Sequence, residues 1–172
     1  MPLIVEKYGG TSVGTAERIH AVADRVMRAH RAGDDLVVVV SAMAGETNRL
    51  LDLAGAIDPK ADAREIDVLV STGEQVTIAL LTMALHNRQI QARSYTGGQV
   101  RILTDNVHGK ARILNIDADS VRADIAQRNV VVIAGFQGVD ESGNIPSFKR
   151  YRKINSKKRK FGRGGFSKNG KK

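Results

Sequence analysis

Short apolar runs alternating with amphipathic stretches organise most of this chain. Leu3-Ile4-Val5 predicts a strand over 3–7, buried and parallel to its neighbours. Ile19, Val22, Ala23, Val26 and Met27 then recur at helical spacing, so 16–31 reads as an amphipathic helix with Gly33 just past its end. The unbroken run Leu36-Val37-Val38-Val39-Val40 suits a strand covered on both faces. The three segments form a βαβ unit, and a parallel sheet follows from it.

The pattern continues with a helix near 47–54 and a turn at Asp58-Pro59. Two apolar helical stretches, 65–70 and 74–87, are read as divided at Ser71-Thr72-Gly73. Strands are expected over 91–95 and 99–103, around Thr96-Gly97-Gly98, with another short one within 111–116. A helix over 119–128 precedes a second buried strand, Val130-Val131-Val132-Ile133-Ala134, and the loop Gly135-Phe136-Gln137-Gly138.

Three apolar strands thus end in loops of small residues, after Lys7, Val40 and Ala134. Ligands of open α/β sheets gather outside the carboxyl ends of the strands, which makes these loops one candidate site. The first, Lys7-Tyr8-Gly9-Gly10-Thr11-Ser12, joins a cation to backbone that an anion can approach without Cβ obstruction. A helix beginning near Thr15 would add its positive end, so the segment suits phosphate. The same glycines also serve a tight strand-to-helix turn, and the same lysine a solvated strand end.

Charge is distributed unevenly. Twelve of the 27 Lys and Arg fall within 146–172, where no acidic residue occurs, leaving 15 cations against 18 carboxylates before it. The basic character of the chain, +9 overall, therefore belongs to that tail, which reads as disordered. The absence of cysteine excludes disulfides and thiolate metal sites. His20, His30, His86 and His108 lack ligand spacing, and no metal-binding residue is assigned. No apolar run of about twenty residues is read from the sequence, and Glu6 and Lys7 interrupt the first apolar run too early for a secretory leader. A soluble, cytoplasmic protein is expected.

Taken together, Lys7-Tyr8-Gly9-Gly10-Thr11-Ser12, Val38-Val39-Val40-Ser41-Ala42-Met43, Ser71-Thr72-Gly73-Glu74-Gln75, Gly97-Gly98-Gln99 and Gly135-Phe136-Gln137-Gly138 closely resemble the aspartokinases, in family order and spacing. The resemblance implies the amino-acid kinase (carbamate kinase-like) fold, an α/β three-layer α/β/α sandwich on a mainly parallel sheet. Residues 1–145 would be the N-terminal part of its catalytic domain, truncated relative to the family. The implied reaction transfers the γ-phosphoryl group of ATP to the β-carboxylate of L-aspartate, the entry to lysine, threonine and methionine synthesis. Magnesium would arrive with the nucleotide.

By matching position, Lys7 is the expected catalytic cation, and Lys7, Tyr8, Gly9 and Gly10 the binders of ATP phosphate. Ser41, Thr47 and Glu74 would hold the substrate, with Glu74 on its α-ammonium group. Spacing alone favours other roles. Ser71 and Glu74 fit an S-x-x-E capping box, Thr47 an N-cap and Ser41 a polar strand end. The resemblance reverses that preference. Family members associate as dimers, so a homodimer is also implied.

After Gly143-Asn144-Ile145 the family pattern breaks. Aspartokinases continue through Thr-Thr-Leu to Gly-Arg-Gly-Gly-Ser-Asp, whereas this chain continues Pro146-Ser147-Phe148-Lys149 and reaches Gly162-Arg163-Gly164-Gly165 more than ten residues late, without the acidic member. Three readings of 146–172 follow. An accidental terminus, by frameshift, truncation or junction, predicts impaired or absent turnover and an open sheet edge. A nucleic-acid-binding arm uses the aromatic residues Phe148, Tyr151, Phe161 and Phe166 among the cations. A folded-back tail would restore the site with the displaced Gly-Arg-Gly-Gly. The first is preferred because the change is abrupt. Reading the encoding DNA in its other frames after Ile145 is expected to recover Gly-Arg-Gly-Gly-Ser-Asp; no such sequence in any frame would refute a frameshift.

Overall fold

The computed structural model describes residues 2–148. Four parallel strands lie in the order β1-β2-β6-β3. Their ranges are β1 Leu3–Tyr8, β2 Asp35–Val40, β3 Ala92–Tyr95 and β6 Val130–Ala134, while β4 Ile102–Thr104 and β5 Ile113–Ile116 form a separate antiparallel pair. The helices are α1 Ala16–Arg31, α2 Glu46–Ile57, α3 Ala63–His86 and α4 Asp119–Ala126. Register aligns Val38 with Val132 and Glu6 with Val38.

Side-chain alternation sorts the two faces. Leu36, Val38 and Val40 of β2 join Val130, Val132 and Ala134 of β6 in the main core, together with Ile19, Val22 and Val26 of α1 and Ile78, Leu81 and Leu85 of α3. Val37 and Val131 face the other way and pack with Val100 and with Val121 of α4. The result is a three-layer α/β/α arrangement, with α1 and α3 on one side and α4 on the other.

Two expectations are overturned here. Strand β1 is not buried: it lies at the sheet edge, and Leu3 and Val5 are 56% and 64% exposed. Among the described residues, the second face of the sheet is covered at β6 and open at β1. The predicted break at Ser71-Thr72-Gly73 is also absent, since α3 runs through it without interruption. Gly73 serves packing instead: a methyl group there would sit 3.1 Å from Ala42 Cβ and 3.2 Å from Glu46 Cγ. Ser71 Oγ donates to Val68 O within the same helix, so the capping-box reading falls with the break. As one helix, α3 is long and apolar enough to cross a bilayer by length and composition. It is instead a core helix, with Val70, Ile78, Leu81 and Leu85 buried in the protein.

A polar stripe crosses this apolar helix. Asp67, Ser71 and Glu74, at spacings of four and three, share one face and are all buried. The Asp67 carboxylate accepts bonds from His108 Nδ1 at 2.9 Å, Gly109 N at 3.0 Å, Ser147 N at 3.2 Å and Ser147 Oγ at 2.7 Å. Pro146–Phe148, assigned to the tail by composition, are therefore tied into the fold. Gly138 N also donates to Pro146 O, and Phe148 N to Phe136 O, both at 3.0 Å. Residues 149–172, on which the expectation of a disordered basic tail rests, lie outside the described residues.

The other histidines join elements together. Nitrogens of His30 and His86 lie 2.9 and 2.8 Å from the carbonyls of Arg128 and Ala92. Arg128 in turn donates to Asp35 Oδ1 at 2.6 Å and to His30 O at 3.0 Å, fastening the segment before β6 to the end of α1 and the start of β2.

Removing the Asp67 carboxylate strands several buried donors at once. Asp67→Ala is expected to lower unfolding free energy by about 3 kcal/mol and Ser147→Ala by about 1 kcal/mol, read from urea denaturation. Equal, negligible losses would show that the Asp67 cluster does not hold 146–148 to α3.

Candidate functional site

Because β1, β2 and β6 are adjacent and parallel, their carboxyl-end loops converge. Together with α2 and α3 they enclose a cavity of about 460 Å³, within the usual range for small-molecule sites. Gly9 and Gly10 come from the first loop, Ser41 to Gly45 from the second, and Phe136 and Gln137 from the third. Thr47 of α2, Glu74 of α3 and Ser147 complete the polar wall.

The two glycines play different parts. A methyl group at Gly10 would lie 2.7 Å from Ala42 O, so only glycine lets the first two loops pack backbone to backbone. Ser41 N reinforces the contact by donating to Tyr8 O at 3.3 Å. At Gly9 the same addition meets nothing within 4 Å, and its backbone borders open space. This is room that an anion can enter.

The helix end beside that space differs from the expected one. Thr15 caps α1 with its own side chain, accepting from Arg18 N at 3.3 Å. Helix α2 begins after Gly45, in a left-handed conformation at φ +82°, with no side-chain cap, and Gly45, Thr47 and Asn48 all line the cavity. The positive end available to a ligand is thus that of α2. Thr47 lies inside the first turn of α2, which removes its reading as an N-cap.

Glu74 is the buried charge of the site, 5% exposed. Its Oε2 accepts from Gln137 Nε2 at 3.1 Å and from Phe136 N at 3.3 Å. Gln137 also donates to Ser71 O at 3.3 Å. These bonds hold one carboxylate edge at the wall of a cavity that also presents Ser41 and Thr47.

Lys7 and Tyr8 diverge, as consecutive strand residues must. Lys7 is on the open face of β1 and stands beside the cavity, with Nζ 5.0 Å from the centroid of the Phe136 ring. Tyr8 packs toward α1 and α3, and its hydroxyl donates to Glu6 Oε2 at 2.5 Å. Burial, followed by that bond to Glu6, pushes the phenol up to about 12. The Tyr8 side chain is therefore not brought to the cavity, contrary to its expected place on phosphate. It borders a shallow hollow with Arg18 and Arg25.

Sequence reasoning placed the loop of Phe136 and Gln137 in the candidate site without giving either residue a role, and it missed Ser147. The signal for Gln137 was present in its loop, which follows a buried strand as the Gly9-Gly10 loop follows β1. The loop after Gly138 is held by Asp140, which accepts from Asn144 Nδ2 at 2.9 Å and from Ser142 N at 2.9 Å; Asn144 is the principal cause that holds this carboxyl below the usual range.

Comparison with known proteins agrees with this architecture. The family model described as "Amino acid kinase family" matches residues 2–155. The aspartate kinase of Pseudomonas putida is 64% identical over 150 residues, which cover 87% of this chain and 36% of that protein. An aspartokinase of a Bacillus strain is 51% identical over 150 residues, with the same coverage. The chain thus spans about a third of the length of the curated relatives it matches. The crystal structure of aspartate kinase from Synechocystis superposes with a TM-score of 0.69 at 43% identity, over 84% of this chain and 23% of that one. Escherichia coli aspartokinase III, solved in complex with aspartate and ADP, gives 0.73 at 22% identity over 86% of this chain and 43% of that one, a likeness of fold. The parallel sheet, the convergence of its loops and the match over nearly the whole described chain lead to one conclusion: this chain belongs to the amino acid kinase family.

Proposed function

We propose that this chain carries the acceptor and phosphoryl pole of an aspartate kinase, whose reaction transfers the γ-phosphoryl group of ATP to the β-carboxylate of L-aspartate. The observation that carries the reading is the buried Glu74 carboxylate in a cavity shared with Ser41, Thr47 and the Gly9-Gly10 loop. An α-ammonium group requires an anion, and Glu74 supplies it. Hydroxyls of Ser41 and Thr47 orient the rest of the acceptor. The site then has little covalent work to do: it aligns an acceptor oxygen with phosphorus and neutralises charge on the equatorial oxygens. Lys7, the Gly9 and Gly10 backbone and the start of α2 are the groups for that task.

Magnesium fits only as an ion arriving with the phosphates. Among the described residues, the cavity wall carries one carboxylate, Glu74, and it is engaged by Phe136 and Gln137. When bound with the nucleotide, the ion would supply positive charge that offsets the phosphates. No cage of protein ligands is assigned to it.

Turnover is expected to be impaired, because the sequence after Ile145 departs from the family pattern and lacks in place the motif whose arginine the resemblance puts at the transferred phosphate. Loss of such a cation costs about 10³- to 10⁵-fold elsewhere. The reading also carries a cytoplasmic location and, from the family, a homodimer. Residues 1–145 are taken as the N-terminal part of the catalytic domain and 146–172 as a basic tail, whose first three residues pack against the fold.

Glu74→Gln is expected to weaken L-aspartate binding at least about tenfold in calorimetric titration, since a charge-assisted bond is lost. Unchanged affinity would refute the acceptor site. In a coupled assay with ATP, magnesium and L-aspartate, turnover is expected to stay near that of Lys7→Ala; a rate well above this control would refute the impairment.

The twelve cations within 146–172 favour a second, non-catalytic reading, in which a remnant binds nucleic acid or other polyanions through its tail. RNA affinity would then fall steeply with salt and vanish on deletion of 149–172. Affinity unchanged by the deletion would sink this reading.

A further inference from the structure

Two opposite charges of the site, Lys7 and Glu74, come from different layers, yet both meet one short loop. Phe136 places its ring under the Lys7 ammonium group, 5.0 Å from Nζ to centroid, while its backbone N–H donates to Glu74 Oε2 at 3.3 Å. The next residue, Gln137, is buried and donates from Nε2 to the same Glu74 oxygen at 3.1 Å.

The loop is itself clamped from both sides. A methyl group at Gly97 would sit 1.9 Å from Gln137 O, so the turn after β3 lies directly against the loop backbone. On the other side, Gln137 forms an antiparallel bridge with Ser147, and Phe136 O accepts from Phe148 N at 3.0 Å. A loop so confined can fix the separation of the groups it touches.

We propose that Phe136 and Gln137 are positioning residues that hold the phosphate cation and the acceptor anion in one frame: the Phe136 ring seats Lys7, and the Gln137 amide seats Glu74. This inference rests on the acceptor and phosphoryl reading of the cavity. The aromatic face attracts the ammonium group without neutralising it, leaving its full charge for phosphate. The amide holds one carboxylate oxygen and so fixes the orientation in which the group meets an ammonium ligand. Each residue therefore governs one ligand.

The test is a crossed titration of the full chain. Inorganic tripolyphosphate is followed at the Gly9 and Gly10 amide resonances, so that polyanion held elsewhere on this basic chain is not counted. L-Aspartate is followed by calorimetry. Phe136→Leu is expected to weaken tripolyphosphate about two- to fivefold and leave L-aspartate unchanged, while Phe136→Tyr, which keeps the aromatic face, restores wild-type binding. Gln137→Leu is expected to weaken L-aspartate about tenfold and leave tripolyphosphate unchanged. The Lys7 ε-methylene protons should lose their ring-current shift in Phe136→Leu and keep it in Phe136→Tyr.

Equal losses of both ligands in the two variants, or a Lys7 signal indifferent to Phe136→Leu, would overturn the inference. Lys7→Ala and Glu74→Gln separate it from the reading beneath it. If these fail to weaken tripolyphosphate and L-aspartate respectively, the site reading and the inference fall together. If they succeed while the loop variants show no split, the role of the loop alone is wrong.

Discussion

A carboxylate taken out of water must be given partners, and the site is built around that requirement at Glu74. Removing a charge from solvent without hydrogen bonds is prohibitively costly. Here the loop after β6 answers with a backbone N–H and the Gln137 amide. Those donors are in place only because β6 sits between β2 and β3, which brings its carboxyl end over α3. The order of the sheet and the electrostatics of the cavity are thus one constraint seen at two scales.

The same helix face carries a second version of the problem. Asp67, two turns before Glu74, is satisfied by His108, Gly109 and Ser147, none of them near it in sequence. One carboxylate of α3 fastens the loop between β4 and β5 to 146–148, while the other is left facing the cavity. Position distinguishes them: Asp67 accepts four bonds from the loop between β4 and β5 and from Ser147, whereas Glu74, held by Phe136 and Gln137, lines the cavity.

Elements governed by local periodicity were legible in the sequence. The span of α1 and of β6, and the convergence of loops after Lys7, Val40 and Ala134, follow from apolar spacing and the handedness of parallel connections. Gly73 misled because glycine disfavours helix by only about 1 kcal/mol, less than the burial that α3 gains by continuing past it. Dividing the helix there concealed the Asp67-Ser71-Glu74 stripe. The exposure of β1 was equally invisible, since Leu3-Ile4-Val5 reads the same whether one face or two are covered. The loop that carries Gln137 was legible as part of the site, but the role of Gln137 depends on Glu74 and Ser71, distant in sequence, and no local pattern announces Ser147. The family resemblance located Glu74, whereas residue spacing favoured a cap.

The position of β6 also governs the order in which the fold can be assembled. This strand, buried on both sides by β2 and β3, is the last one in the described chain. Until it emerges during synthesis, β2 and β3 have no common neighbour and the apolar face of α3 has only part of its cover. Folding is therefore dominated by contacts of long sequence separation, which form slowly and leave valine-rich strands exposed meanwhile. Strand insertion is the step at which the hydrophobic core and the cavity come into existence together.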